Sequence, residues 1–229
     1  MNAATCRLAD GPPPLWDDAL AFLSQGLLSL VQGTASPRVK EEDSALIERA
    51  QRGDRQAFSL LFHRYVEEVH RRLTRLIGPD PEREDLVQEV FLAAFRGLEH
   101  FRGEAAFSTW LHSILVHVAY THLRRRNRRP LDLRDEEEIE RALQSQSPAD
   151  NLAERRQQVK DALVLLDGIK PKKRIAFVLR VVEGLSLEEI GVLVNAKPAA
   201  VGQRVKYAQR ELHRLAARRE QHASASRSA

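Results

Sequence analysis

Between Ser186 and Leu215 the chain reads SLEEIGVLVNAKPAAVGQRVKYAQRELHRL, which leaves room for two helices and a tight turn and little else. Ser186 and Glu189 have the spacing of a capping box, in which each side chain satisfies the other residue's free backbone N–H, so a helix is predicted to begin there. Ile190, Leu193 and Val194 give that helix one apolar face. Asn195-Ala196-Lys197 supplies the turn, and Pro198, with fixed φ and no N–H, suits the first position of the next helix. Val201, Val205 and Leu212 then repeat at helical spacing with Ala208 between, while Gln203, Arg204, Lys206, Tyr207 and Arg210 take the opposite side. A short helix braced behind a longer one with a Gln, Arg and Lys face is the helix-turn-helix arrangement, whose second helix enters the major groove. There such side chains reach base edges and phosphates. The same pattern also fits a plain helical hairpin with a solvated charged face.

Composition narrows the alternatives. With 43% hydrophobic residues in 229, the chain can bury one or two real cores. Aromatics at 6% and scant strand-like alternation point to an all-α protein. The net charge of +4 is modest, so where the charge lies matters more than its sum. The single cysteine, Cys6, excludes an internal disulfide and a cysteine-based zinc site, and fits the reduced cytoplasm. His112, His117 and His122 are five apart, about 140° of helix rotation each, and cannot converge on one metal. No metal, cofactor or catalytic residue is predicted.

Residues 1–40 form an N-terminal extension. Gly11-Pro12-Pro13-Pro14 reads as loop or polyproline, and Leu15 to Val31 fits one short helix. Asp10, Asp17 and Asp18 lie where a secretory signal carries positive charge, and the run is too short and polar to span a bilayer, so no membrane insertion is predicted. The segment is either a loose arm or docks on the protein or a partner. Docking is the favoured reading, since Trp16 and Phe22 are costly to leave in water.

From Asp43 the chain becomes regular. Asp43 or Ser44 is read as the cap of a helix through Gln51, and Asp54 as the cap of the next. In that second helix Phe58, Leu61, Phe62, Tyr65, Val69, Leu73 and Leu76 fall at three- and four-residue steps. Gly78-Pro79-Asp80-Pro81 ends it, and Pro81 is read as the start of a helix to about Leu98. Leu86, Val90 and Ala94 pack inward there, with Phe91 or Phe95 beside them. Asp85, Gln88, Glu89, Leu92 and Arg96 are left outside, as a solvated face or a docking surface. After the turn Phe101-Arg102-Gly103-Glu104, Ser108 is read as the cap of a long helix that buries Leu111, Ile114, Leu115, Val118, Ala119 and Leu123.

That helix ends in Arg124, Arg125, Arg126, Asn127, Arg128 and Arg129. One or two cations satisfy a C-terminal dipole. Five arginines in six residues point to phosphate contacts instead. Phe101, Phe107, Trp110 and Tyr120 nearby suit either the stacking of unpaired bases or a core, and the core is the better reading for Phe107 and Tyr120. Residues 130–151 turn acidic and polar and read as a flexible linker, either a spacer or a strap against the basic surfaces. A second helical unit spans 152–217, and residues 218–229 read as a disordered tail.

Taken together these pieces resemble a bacterial RNA polymerase sigma factor of the extracytoplasmic-function group, over roughly Asp43 to Leu215. The motifs are GDRQAFSLLFHRY at 53–65, EDLVQEVFLAAFRGLEHFRGEAAFSTWL at 84–111 and LSLEEIGVLVNAKPAAVGQRVKYAQREL at 185–212, and the middle block is the most specific. The resemblance implies an N-terminal sigma domain 2 at 41–129 and a helix-turn-helix sigma domain 4 at 152–217. It implies that Asp85, Gln88, Glu89, Phe91, Phe95 and Arg96 grip the clamp coiled coil of core RNA polymerase. Arg102, Gly103, Phe107, Ser108, Thr109, Trp110, His112 and His117 would read and hold open the minus-ten element of promoter DNA, with Arg124, Arg125, Arg126, Arg128 and Arg129 on phosphates just upstream. Lys197, Pro198, Ala200, Gln203, Arg204, Lys206, Tyr207 and Arg210 would meet the minus-thirty-five element. An anti-sigma partner that wedges between the domains is implied by many members. One departure stands out: where the family often has Gly-Thr-Val-Arg, this chain has Ala199-Ala200-Val201-Gly202, and Gly202 offers a base no side chain. The resemblance therefore supports DNA binding by domain 4 but not the family's usual target sequence.

Two rivals differ in class. A helix-turn-helix regulator that binds duplex DNA without joining polymerase has no need of the 84–111 block. A metal-dependent nuclease built on Asp85 and Glu89 lacks a third ligand or base at motif spacing.

Overall fold

A computed structural model of the chain describes residues 39–78, 80–127 and 161–227, and every regular element among them is helical. The readings made for residues 1–38, Arg128, Arg129 and the linker lie outside the described residues. The N-terminal unit comprises α1 (Val39–Gln51), α2 (Arg55–Ile77), α3 (Arg83–Gly97), a 3₁₀ turn (Leu98–His100) and α4 (Phe107–Arg126). The C-terminal unit begins with helical residues 161–167 (α5). It continues with α6 (Pro171–Phe177), which runs into a π-helical stretch (Val178–Val182), then α7 (Leu187–Leu193) and α8 (Pro198–Arg227).

α2 is the axis of the first unit. Asp54 caps it, accepting from the backbone N–H groups of Gln56 and Ala57 at 2.9 and 3.1 Å. Leu61, Tyr65, Val69, Leu73 and Leu76 follow at helical steps and are all buried. α1, α3 and α4 pack around that stripe. The helix stops at Gly78, whose φ of 79° favours glycine and whose N–H returns to Thr74 O at 2.9 Å. An added Cβ there would stand 2.8 Å from Leu163 Cδ2, so the glycine also admits a side chain from the C-terminal unit.

Three helix starts differ from the sequence-based expectation, two for a tertiary reason and one for a local turn. α1 begins at Val39, and Asp43 faces inward instead of capping: Tyr65 Oη donates to it and Arg64 pairs with it at 2.6 Å. α3 begins at Arg83 rather than Pro81, because Asp80 accepts from Glu82 N at 3.0 Å and makes the preceding turn. α4 begins at Phe107 with Ala106 in the cap position, leaving Ser108 inside the helix. Phe107 is buried against Tyr65, Phe101 and Trp110, and that packing sets where the helix begins. At the other end α8 continues to Arg227, past the expected stop near Arg219. The sequence there is rich in Ala and Arg and lacks Gly and Pro, so nothing breaks the helix.

One continuous buried cluster runs through both units. α4 packs against α6 and α7, and α2 against the π-helical stretch. Leu73 is fully buried on the axis helix. Leu73→Ala is expected to lower unfolding free energy by about 2–5 kcal/mol, read from urea denaturation followed by far-UV circular dichroism.

Candidate nucleic-acid interface

The hairpin at 186–212 has the geometry its sequence predicts. Ser186 Oγ accepts from Glu189 N at 3.1 Å, and Ser186 N donates to Glu189 Oε2 at 2.7 Å. These backbone and side-chain hydrogen bonds hold the Glu189 carboxyl below its usual range. Asn195 takes a left-handed φ of 46°, which asparagine tolerates, and Ala196 N returns to Gly191 O at 2.9 Å. Gly191 cannot carry a side chain in this packing, since a Cβ would stand 2.7 Å from the Ala196 carbonyl oxygen.

Val201, Val205, Ala208 and Leu212 seat α8 on the core. At 100° per residue, Lys206, Arg210, Gln203, Tyr207, Ala200 and Arg204 follow one another around the opposite half of the helix. All are exposed except Arg204, which is half-buried; Lys197 and Pro198 are also exposed. Lys173 lies 5.8 Å from the Tyr207 ring centre and 2.7 Å from Glu211, bracing the tyrosine from α6. Gly202 points toward Leu187, where a Cβ would meet Cδ1 at 3.4 Å, and not into the outer face.

α3 has two faces. Leu86, Val90 and Ala94 are buried as expected, joined by Val87. Asp85, Gln88, Glu89 and Arg96 are exposed on one side with Leu92 (49%) and Phe95 (48%). Phe91 does not reach that surface: it is buried with its ring 4.6 Å from Phe62. Phe95 stands edge-on to Phe58 at 5.0 Å.

The loop before α4 is pinned by Gln51, whose Nε2 donates to Leu98 O at 3.0 Å and Phe101 O at 2.8 Å. Gly103 has a φ of 72°, and Arg102 beside it is exposed. Trp110 is half-buried over Gly97, where a Cβ would come within 3.2 Å of its ring, and Phe101 is 5.0 Å from it. Thr109, His117, Arg124 and Arg125 are exposed and Ser108 is half-buried, while Phe107 belongs to the core.

Two other residues assigned to DNA are taken up inside the protein. His112 is 6% exposed, against Arg72 and 3.5 Å from Glu183 of the C-terminal unit. Arg126 donates to Asp80 at 2.9 Å, Asp167 at 2.8 Å and Ile77 O at 3.2 Å. The same network contains His122, 2.7 Å from Asp80, and Arg174, which donates to Leu76 O at 2.8 Å and pairs with Asp167. Sequence reasoning passed over Asp80, Asp167, Arg174 and Glu183. Helical periodicity marks apolar faces and is blind to charges that pair across 41 to 111 residues.

Burial alone would raise the Asp80 carboxyl, but the His122 hydrogen bond, its charge and Arg126 outweigh it and hold the group below its usual range. Burial pushes Glu183 up, opposed by Arg72 and Arg75. His112 is pushed down to about 3, first by burial and then by the charges of Arg72 and Arg75. Among the described residues no group of His, Cys, Asp or Glu is placed to hold a metal, and no helix is long and apolar enough to cross a membrane.

Comparison with known proteins decides what these surfaces belong to. The family model for Sigma-70 region 2 matches residues 61–129, and that for Sigma-70 region 4 matches residues 161–212. The chain belongs to the sigma-70 family. It is 34% identical over 182 residues to RNA polymerase sigma-H factor of Pseudomonas aeruginosa, covering 72% of this chain and 89% of that protein. It is 35% identical over 169 residues to the extracytoplasmic-function sigma-E factor of Escherichia coli, covering 71% and 88%. A solved structure of CnrH in complex with the cytosolic domain of CnrY shares the fold, with a TM-score of 0.50 at 22% identity over 76% of this chain and 96% of that one. The protein is thus a sigma factor of the extracytoplasmic-function type, acting in transcription initiation, with a region 2 unit and a region 4 unit.

Two outcomes follow for this sigma factor. Gly191→Ala is expected to cost about 1–3 kcal/mol by forcing the turn away from α7, seen as a lower urea midpoint. His112 remains neutral in the fold well below its ordinary value of 6.5. Its contribution is therefore fully present above that pH and is lost as pH falls, because the unfolded chain takes up a proton that the fold refuses. Glu183 acts with the opposite sign, since acid relieves its buried charge. In His112→Gln, the loss of stability between about pH 6.5 and 4.5 is expected to be smaller than in the parent, by up to about 1.4 kcal/mol per pH unit, measured from urea midpoints.

Proposed function

We propose that this sigma factor grips the clamp coiled coil of core RNA polymerase through the outer face of α3, with Asp85, Gln88, Glu89, Phe95 and Arg96 in contact and Phe91 supporting them from beneath. The observation that carries the reading is that outer face itself. Acidic residues, Leu92 and Phe95 lie together in solvent on a helix whose other side is buried. A regulator that only binds duplex DNA has no use for such a surface, and an exposed apolar strip rimmed by charge fits a protein partner.

The loop at 101–106 and Trp110 then face the unpaired minus-ten strand, with Phe101 behind the tryptophan and Thr109, His117 and Arg124 along the same helix. A half-buried aromatic ring has one free side on which a base can stack, worth about 1–3 kcal/mol and offsetting the unstacking. α8 presents Gln203, Arg204, Lys206, Tyr207 and Arg210 to the minus-thirty-five duplex. Gly202 adds no side chain there, so its recognition differs from the family's usual pattern. No covalent step is involved, and the site of action is the cytoplasm. Units at 41–129 and 152–217 joined by the 130–151 linker span the two elements, and an anti-sigma partner that enters between them would restrain the factor.

Asp85→Ala with Glu89→Ala is expected to weaken binding to purified core polymerase by roughly tenfold or more, since charged pairs in such contacts contribute about 1.5 kcal/mol or more. The fold should be unchanged by circular dichroism, both residues being exposed. Full-strength core binding by this variant would remove the assignment of α3. Absence of promoter-dependent run-off product from a genomic template library would remove the wider reading.

A further inference from the structure

Gln51 ends α1 and belongs to neither α3 nor α4, yet its side chain reaches the joint between them. Its amide nitrogen carries two N–H groups and has two carbonyls to meet. It donates to Leu98 O at 3.0 Å, in the 3₁₀ turn that follows α3, and to Phe101 O at 2.8 Å, where the loop before α4 starts. Leu98 O also accepts from Phe101 N at 3.0 Å, so the turn is closed on itself and tied to α1. Beyond Phe101 the backbone has no such tie. Arg102, Gly103, Glu104 and Ala105 are exposed and make no hydrogen bond among the described residues. The next anchor is Ala106 O, which accepts from Thr109 N and Trp110 N at 3.0 and 3.1 Å. Among the described residues, Gln51 is therefore the only side chain that hydrogen-bonds the backbone of residues 101–106.

What it holds in place is the wall behind Trp110. The Phe101 ring lies 5.0 Å from Trp110 and 5.9 Å from Phe107, so a fixed Phe101 carbonyl fixes the ring that backs the tryptophan. α1 is a firm anchor for this: Ile47 and Ala50 are buried, Arg49 pairs with Asp54 at 2.7 Å, and the helix packs directly on the 3₁₀ turn. Without the amide, Phe101 O has no partner among the described residues, and Leu98 O keeps only Phe101 N. We propose that Gln51 is a positioning residue for strand opening, whose amide holds Phe101 and the loop in the form that receives an unpaired minus-ten base on Trp110. The proposal rests on the reading of that loop and Trp110 as the minus-ten reader. A loop ordered before the base arrives does not spend binding energy on ordering itself afterwards, so the base stacks on a surface that already exists.

The test uses holoenzyme reconstituted from core polymerase and the full chain. The probe is a forked DNA from a promoter that the parent transcribes, unpaired through the minus-ten element, with an abasic site at each unpaired position in turn. For the parent, an abasic site at the captured position is expected to weaken binding roughly tenfold, the loss of one base–aromatic stack. Gln51→Glu has nearly the same shape but sets a carboxylate against two carbonyls and donates to neither. This variant is expected to bind the intact fork roughly tenfold more weakly, since two hydrogen bonds are lost. Its abasic penalty at that position is expected to fall below about twofold, because the stack it removes is no longer formed. Gln51→Lys restores a donor and is expected to recover most of both effects. Affinity for core polymerase and helicity should match the parent in each case, and Gln51→Ala replaces Gln51→Glu if the latter loses helicity. The parent's fork affinity in the variant would overturn the proposal. So would weaker binding with the full abasic penalty retained, which is the mark of a merely structural role. A parent with no abasic penalty at any position would instead overturn the reading of Trp110 on which the proposal stands.

Discussion

A guanidinium left only 1% exposed has to be met by hydrogen bonds and opposite charge, or the fold cannot hold it. Arg174 meets this demand with the Leu76 carbonyl from the end of α2 and the Asp167 carboxylate from the end of α5. Those two groups belong to different units, so satisfying one buried cation fixes how the units sit. Arg126 extends the network to Asp80 and Ile77 O, and His122 completes it from α4. Such a cluster sets geometry more than it adds stability, because the desolvation of several charges offsets most of their attraction. Apolar burial supplies the driving force, and the ionic cluster selects one arrangement among those that burial alone would allow.

That division of labour explains why α4 is buried on more sides than a surface helix. Its buried set includes Leu111, Leu115, Val118 and Leu123, and also His112, which stands 3.5 Å from Glu183 of the C-terminal unit. One such residue is a histidine kept neutral by burial and by neighbouring arginines, beside a glutamate that burial pushes toward its protonated form. α3, by contrast, keeps its acidic and apolar outer face in solvent in the same arrangement, so a partner can reach it while the units are together.

Much of this was legible in the residues. The capping box at Ser186 and Glu189, the turn through Asn195 and the stripe Val201, Val205, Ala208 and Leu212 all stand where their spacing placed them, because each depends on neighbours within one helical turn. The α2 stripe and the inward trio Leu86, Val90 and Ala94 follow from the same periodicity. Two of the misplaced helix starts share one cause: Asp43 and Phe107 answer to Tyr65, 22 and 42 residues away, so a local rule assigns them wrongly.

The sequence by itself determined an all-helical chain, its helix-turn-helix, the two-sided α3 and the family to which these belong, since each is written in short-range spacing. Only the tertiary structure decided that Phe91 lies under the surface and Phe95 on it, that His112 and Arg126 are spoken for inside the protein, and that Asp167, Arg174 and Glu183 matter at all. Charges pair through space without leaving a period along the chain, and a buried ion finds its counterpart by the geometry of packing alone.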